Sequence, residues 1–132
     1  MDAKNKSLHP PLVSIVDDDV SVRRSTRRLL HSAGLRAEAF ASAELFLESG
    51  ALQATDCLIL DVRMPGIGGL ELQGRLNVAE SRVPIIFISA HDDGAARRQA
   101  MAAGAVVFFR KPFDAKALGA AIETSQRGME TK

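Results

Sequence analysis

The chain has 132 residues, the length of one ordinary domain, and its composition does not call for a second domain. Its 17 lysines and arginines are balanced by 16 aspartates and glutamates, so net charge does not point to nucleic acid or to an acidic membrane surface. The single cysteine, Cys57, excludes an internal disulfide and fits a reducing compartment. Residues 1–11 are polar, without the apolar segment of a signal peptide, and we expect a flexible leader there. No segment is apolar for long enough to span a membrane, so the composition predicts a soluble, cytoplasmic protein.

Short apolar runs alternate with helical patterns along the chain. The predicted strands are residues 12–16, 35–40, 57–60, 84–89 and 105–109. The predicted helices start near Val20, Ser42, Gly68, Asp92 or Asp93, and Asp114. Gly34 and Gly104 are expected to end the first and fourth helices, and residues from about 126 form a tail.

Apolar residues at helical spacing predict which helix faces are buried. The expected core positions are Val22, Thr26, Leu29, Leu30 and Ala33, then Leu45, Phe46 and Leu47, then Leu72 and Leu76, then Met101, then Leu118 and Ile122. Because the fourth helix is rich in alanine, we expect it to pack weakly and to be adjustable in position.

Five strands alternating with five helices predict an α/β fold, in which a parallel sheet carries helices on both faces. Four of the strands are followed by polar side chains at one edge of that sheet: Asp17 and Asp18, Asp61, Ser89, and Lys111. Ligands of open α/β sheets bind at this edge, so Asp61 is placed for chemistry. Alternatively, Asp61 simply opens a Pro-Gly turn.

Three carboxylates that converge repel one another, and a hard divalent cation relieves that repulsion. Mg²⁺ prefers such oxygen ligands, whereas the histidines lack the spacing of a zinc site. A carboxylate beside a cation, a lysine and a hydroxyl can accept a phosphoryl group, with Asp61 as the nucleophile.

The sequence resembles a response-regulator receiver domain of two-component signalling, and its motif residues are most similar to those of FixJ/NarL-type transcriptional regulators. Four segments carry the resemblance in order: Ile15-Val16-Asp17-Asp18-Asp19, Asp61-Val62-Arg63-Met64-Pro65-Gly66, Ile88-Ser89-Ala90-His91 and Phe108-Phe109-Arg110-Lys111-Pro112-Phe113. The resemblance covers residues 12–125, leaving 1–11 as leader and 126–132 as tail. It implies a flavodoxin-like (βα)5 doubly wound sheet with strand order 2-1-3-4-5, the order found in chemotaxis members of this family.

The resemblance also implies a role for each matching residue. Asp61 matches the phospho-acceptor, and Lys111 matches the lysine that pairs with the phosphoryl group, followed by a cis bond to Pro112. The residues that match Mg²⁺ ligands are Asp17, Asp18, Asp61 and the main-chain carbonyl of Arg63. Ser89 matches the Ser/Thr that hydrogen-bonds a phosphoryl oxygen, and Ser89 and Phe108 match the two switch positions.

Two positions depart from the family pattern. Phe108 stands where many relatives have tyrosine, so a switch that needs a phenolic hydroxyl does not transfer. Asp19 stands where many relatives have glutamate. Arg63 and His91 lie at variable positions, where the family tunes the lifetime of the aspartyl phosphate.

An arginine cluster lies on the predicted first helix: Arg23, Arg24, Arg27 and Arg28. It is most simply a solvated helix face. The second interpretation is a docking surface for a kinase, because this helix lies beside the acidic pair. The segment lacks the aromatic residues and motifs of a nucleic-acid interface, so direct binding of nucleic acid is not expected.

The leading hypothesis is a phosphorylation switch and not an enzyme with turnover. A sensor histidine kinase or phosphotransfer protein donates a phosphoryl group to Asp61. The face made by the fourth helix, the last strand and the last helix then changes. We expect this change to control transcription, with a homodimer as one possible form of the phosphorylated protein. A haloacid-dehalogenase-type phosphatase would need an aspartate where Arg63 stands. A flavin-binding module is disfavoured because the acidic run would repel the flavin phosphate. A phosphate-independent interaction module is the remaining alternative.

Overall fold

The computed structural model describes residues 10–91 and 93–130, so most of the predicted leader and the alternative helix start at Asp92 lie outside it. These residues form a five-stranded parallel sheet in the order β2-β1-β3-β4-β5. The strands are β1 (Leu12–Val16), β2 (Arg36–Phe40), β3 (Cys57–Asp61), β4 (Ile85–Ser89) and β5 (Val107–Arg110). The helices are α1 (Val20–Ser32), α2 (Ala43–Ser49), α3 (Gly69–Val78), α4 (Gly94–Ala102) and α5 (Ala115–Glu130), with a 3-10 turn at Ala51–Ala54.

The sheet separates two apolar clusters, which confirms the predicted layers of helix, sheet and helix. Phe46, Leu72, Leu76 and Ala100 place α2, α3 and α4 over one face. Leu30, Leu118 and Ile122 place α1 and α5 over the other. Residues 57–61 of β3 are all buried, as expected for a central strand covered on both faces.

The predicted helix ends follow from side-chain caps. Asp19 accepts hydrogen bonds from the amides of the first turn of α1, and Ser42 and Asp93 do the same for α2 and α4. Gly34, with φ of 83°, follows α1 as expected. Asp19 therefore starts α1 directly after Asp17 and Asp18, which follow the end of β1.

Three side chains expected in the core are exposed instead. Leu45 is 51% exposed because successive helical residues point about 100° apart, and its neighbours Phe46 and Leu47 take the inward directions. Met101 is 42% exposed, and Ala96 and Ala100 supply the buried face of α4. Ala33 caps the end of α1 and lies at the surface.

The last helix is longer than the sequence pattern indicates. Helix α5 continues to Glu130, past residue 126, where a tail is expected. The Gln126 side chain donates to the Asp56 carbonyl at 2.7 Å, which ties this extension to the start of β3. No helix formed by residues 10–91 and 93–130 is long and apolar enough to cross a membrane.

Candidate functional site

Three carboxylates meet at the carboxyl ends of β1 and β3. Asp17 and Asp18 follow β1, Asp61 ends β3, and one oxygen from each lies within 4.8 Å of the others. Asp17 and Asp61 are buried, whereas Asp18 is exposed. The parallel pairing of β1 with β3 brings these residues together, although they are more than 40 positions apart in the chain.

Lys111 is the cation of this cluster. It follows β5, and its Nζ lies 2.9 Å from Asp17 Oδ2 and 3.8 Å from Asp61 Oδ2. Its amide donates to the Ser89 carbonyl at 2.7 Å, and its bond to Pro112 is cis, as the resemblance implies. One lysine thus faces two buried carboxylates and is more closely bound to Asp17.

The charge of Asp61 is therefore only partly compensated. Burial, and after it the negative charge of Asp17, raise the pKa of Asp61 from 3.8 to about 7, while Lys111 acts in the opposite direction. A further positive group beside Asp61 would therefore stabilise its ionised form.

The donor set fits Mg²⁺. It offers carboxylate oxygens from Asp17, Asp18 and Asp61, the hard ligands that this ion prefers, and the exposed side of Asp18 leaves room for water. The main-chain carbonyl of Arg63 lies in the segment directly after β3. The raised pKa of Asp61 supports the same conclusion, because a divalent cation would relieve the repulsion that causes it.

Ser89, at the end of β4, is placed at the same edge, but its hydroxyl is engaged within its own loop. Its Oγ donates to the His91 carbonyl and accepts from the His91 amide, both at 3.1 Å. The side chain is almost fully buried. A phosphoryl oxygen would have to compete with the His91 carbonyl for this proton.

Phe108 is buried in β5 between an aromatic ring and a cation. Its ring stacks on Phe87 with centroids 6.0 Å apart, and the Arg97 guanidinium lies 5.0 Å from its centroid. Arg97 also donates to the Phe108 carbonyl at 3.2 Å, so α4 is attached to β5 at this residue. No signal in the sequence marks this contact, because it depends on how α4 packs against β5.

Two further arginines have more specific contacts than the sequence suggests. Arg23, in the arginine cluster of α1, donates to the Asp17 carbonyl at 2.8 Å, so this residue is not simply solvated. The other three arginines of that cluster are exposed. Arg63 pairs with Asp93 at 2.6 Å. The hydrogen bond from the Ala96 amide, and to a smaller extent the Arg63 guanidinium, lower the pKa of Asp93.

The fold and the acidic site are those of one known protein family. The family model of the response regulator receiver domain matches residues 13–123. The chain belongs to the response regulator receiver family. Its function is therefore phosphorelay signalling, and receivers of this family are phosphorylated by histidine kinases. Receiver domains bind Mg²⁺ at an acidic pocket, and the three aspartates form a cluster of that kind.

Individual relatives agree with the family assignment. The receiver is 44% identical over 117 residues to nodulation protein W of Bradyrhizobium diazoefficiens, covering 88% of this chain and 52% of that protein. It is 42% identical over 113 residues to the transcriptional regulatory protein FixJ of Azorhizobium caulinodans, covering 86% and 54%. The crystal structure of FixJ-N aligns with a TM-score of 0.81 at 35% identity, covering 90% of this chain and 95% of that one. The receiver thus spans about half the length of these curated relatives.

Proposed function

We propose that Asp61 is the phospho-acceptor of this receiver and that the surrounding residues promote transfer from a phosphohistidine donor. The observation that carries this assignment is the position of Asp61 beside Asp17 and 3.8 Å from Lys111 Nζ, with a pKa raised to about 7. It is the buried carboxylate that ends the central strand β3 at the ligand-binding edge of the sheet.

The transfer conserves charge and bonds without a co-reactant. An ionised oxygen of Asp61 attacks phosphorus, the bond from phosphorus to the donor imidazole nitrogen breaks, and the bonding electrons return to that nitrogen. Lys111 pairs with a phosphoryl oxygen, and Ser89 donates its hydroxyl proton to another after leaving the His91 carbonyl. Asp17, Asp18, Asp61 and the Arg63 carbonyl would hold Mg²⁺, which when bound neutralises charge between the carboxylates and the phosphoryl group.

The donor is a sensor histidine kinase or phosphotransfer protein that docks beside α1. A groove of about 410 Å³ lies between α1 and the segment after β5, and its lining includes Val22, Leu29, Lys111 and Phe113. Because Lys111 also contacts Asp61, a helix seated in the groove would bring its histidine next to the acceptor. Exposed Arg24, Arg27 and Arg28 on α1 provide positive charge for an acidic partner surface.

The output is a population shift. Movement of Ser89 toward the phosphoryl group would release the His91 loop just before α4, and Phe108 links α4 to β5 through Arg97. The changed face of α4, β5 and α5 would control transcription and would form a homodimer on phosphorylation. The proposed receiver unit is residues 12–125, with 1–11 as leader; of the expected tail, 126–132, residues 126–130 continue helix α5.

This receiver is proposed to act in the cytoplasm. The one cysteine, Cys57, is buried and free, as expected in a reducing compartment. We propose no enzymatic turnover, membrane contact or direct binding of nucleic acid by this domain.

Acetyl phosphate with Mg²⁺ tests the acceptor assignment, with the product read by intact mass. We expect one phosphoryl adduct on the wild type, loss of the adduct when Mg²⁺ is chelated, and no adduct on Asp61→Asn. An equal adduct on Asp61→Asn would reject Asp61 as the acceptor. No adduct on folded wild type would favour a phosphate-independent interaction module.

Beryllofluoride tests the output. We expect it to shift the monomer–dimer equilibrium, measured by sedimentation, and to change amide exchange in α4 and β5. An unchanged oligomeric state together with unchanged exchange on this face would contradict the proposed switch.

A further inference from the structure

One half-buried carboxylate outside the acidic cluster contacts, from another helix, the loop that follows Asp61. Glu44 lies in the first turn of α2, and its Oε2 accepts a hydrogen bond from the Ile67 amide at 3.1 Å. Ile67 belongs to the β3–α3 loop, residues 62–68, which directly follows Asp61. The bond joins residues 23 positions apart and fixes this loop from the side of α2.

Gly66 shows how closely the Glu44 carboxylate approaches the loop. A Cβ at Gly66 would overlap Glu44 Oε2, and the φ of 75° at this residue also favours glycine. The other oxygen of Glu44, Oε1, is buried, and nothing among the residues that the structure describes bonds to it. An ionisable side chain held in this way is not explained by packing alone.

The same loop is fixed at two other points. At its end, the Gly69 amide donates to the Val62 carbonyl at 2.9 Å, and a Cβ on Gly69 would overlap the Asp61 carbonyl oxygen. At its start, the Arg63 side chain pairs with Asp93, but Arg63 is largely exposed and such pairs contribute little. Between these two ends Met64 and Ile67 pack against the core, and Glu44 adds a side-chain hydrogen bond to the loop backbone.

We propose that Glu44 is a positioning residue for the phosphorylation site. It holds the β3–α3 loop, and with it the main chain of Arg63, in place beside the acidic cluster, and it does so through its hydrogen bond from the Ile67 amide. This inference rests on the proposed function, because the Arg63 carbonyl is a proposed Mg²⁺ ligand. Glu44 lies on α2, outside the four segments whose motifs form the site, so the inference adds a residue of α2 to the residues that support it.

Amide hydrogen exchange of metal-free protein tests the contact without any phosphorylation. We expect the Ile67 amide to be protected in the wild type and to exchange at least about ten times faster in Glu44→Ala and in Glu44→Asp, whose side chain is too short to reach. Glu44→Gln retains an acceptor oxygen and should keep most of the protection. Glu48→Ala, an exposed residue on the same helix, is the matched control and should leave Ile67 unchanged.

Titration of Mg²⁺, followed through the amide NMR signals of Asp18 and Asp61, tests the consequence. Groups that orient metal ligands typically change metal affinity 10–100-fold, and because Glu44 acts one step further away we expect a loss of about three- to ten-fold in Glu44→Ala. Glu44→Gln and Glu48→Ala should stay within about two-fold of wild type. Should Glu44→Ala fail to fold, Glu44→Asp decides.

The outcomes separate this inference from the proposed function. If folded Glu44→Ala or Glu44→Asp has the same Ile67 protection and the same Mg²⁺ affinity as the wild type, Glu44 does not have the proposed role. This conclusion would hold even when acetyl phosphate modifies Asp61 normally. Wild type that binds Mg²⁺ but accepts no phosphoryl group would reject the proposed function, while the effect of Glu44 on Ile67 would still be measured.

Discussion

Replacing Asp61 by asparagine should stabilise the metal-free protein at alkaline pH. The substitution keeps the size of the side chain and removes one of two buried carboxylates that share Lys111. A pKa raised from 3.8 to about 7 corresponds to at most about 4 kcal/mol of unfavourable interaction of the ionised group. Solvent at the edge of the sheet and sharing of charge with Asp17 reduce this, so we expect about 1–3 kcal/mol.

The sign of the pH dependence follows from the raised pKa. Below about pH 3 Asp61 is mostly protonated in both the folded and the unfolded state, so the variant has little advantage. As the pH rises from about 4 to 7 the unfolded chain loses the proton first, and the wild type loses stability relative to Asp61→Asn. Above pH 7 the difference should stay constant.

Urea unfolding with a chelator at about pH 4.5 and about pH 8 measures this difference. Asp56→Asn is the matched control, because Asp56 precedes the same strand and accepts from the Leu12 amide, which an asparagine oxygen can also do. We expect the control to change stability by less than about 0.5 kcal/mol at either pH. Added Mg²⁺ should stabilise the wild type more than Asp61→Asn. A variant no more stable than wild type at pH 8, or a difference independent of pH, would refute the charge repulsion.

Three other experiments test separate parts of the structure. Arg97→Met removes the cation over Phe108 and the bond to its carbonyl, so urea unfolding should show a loss of about 1–2 kcal/mol, whereas exposed Arg98→Met should change it by less than about 0.5. A loss equal in both variants would contradict the contact. Glu80 has a φ of 60°, so Glu80→Gly should stabilise the protein by about 0.5–1 kcal/mol in the same assay, and a loss would contradict that strain. Burial raises the pKa of the Cys57 thiol to about 12, so a disulfide reagent at pH 8 should label native protein at least about 100-fold more slowly than unfolded protein. Equal labelling rates would show that this strand opens readily.

The sequence predicted most of the fold because its local signals agree with one another. Cys57 to Leu60 is an apolar run of strand length that stops at a carboxylate, and the caps Ser42 and Asp93 and the terminating Gly34 mark helix ends through bonds within a few residues. These features depend on neighbouring residues only. Because they define strands that alternate with helices, they predict parallel strands whose four polar ends lie at one edge of the sheet, whatever the order of the strands.

The side-chain contacts that support the site could not be predicted in the same way. Glu44 and Ile67 are 23 positions apart, and Arg97 reaches Phe108 only because α4 packs across β5. The wrong placement of Leu45 has a similar origin, since three consecutive apolar residues in a helix leave open which two face inward. The strand order came from the family resemblance, because alternating strands and helices do not fix it.

Borohydride trapping of the phosphorylated protein tests the central assignment most directly. Borohydride reduces an aspartyl phosphate to homoserine, and peptide sequencing by mass spectrometry then identifies which of the clustered aspartates carried it. After treatment with acetyl phosphate and Mg²⁺ we expect homoserine at position 61 only, with Asp17 and Asp18 unchanged. Homoserine at position 17 or 18 of the wild type would contradict the assignment of Asp61 as the acceptor and of the other two aspartates as its Mg²⁺ ligands.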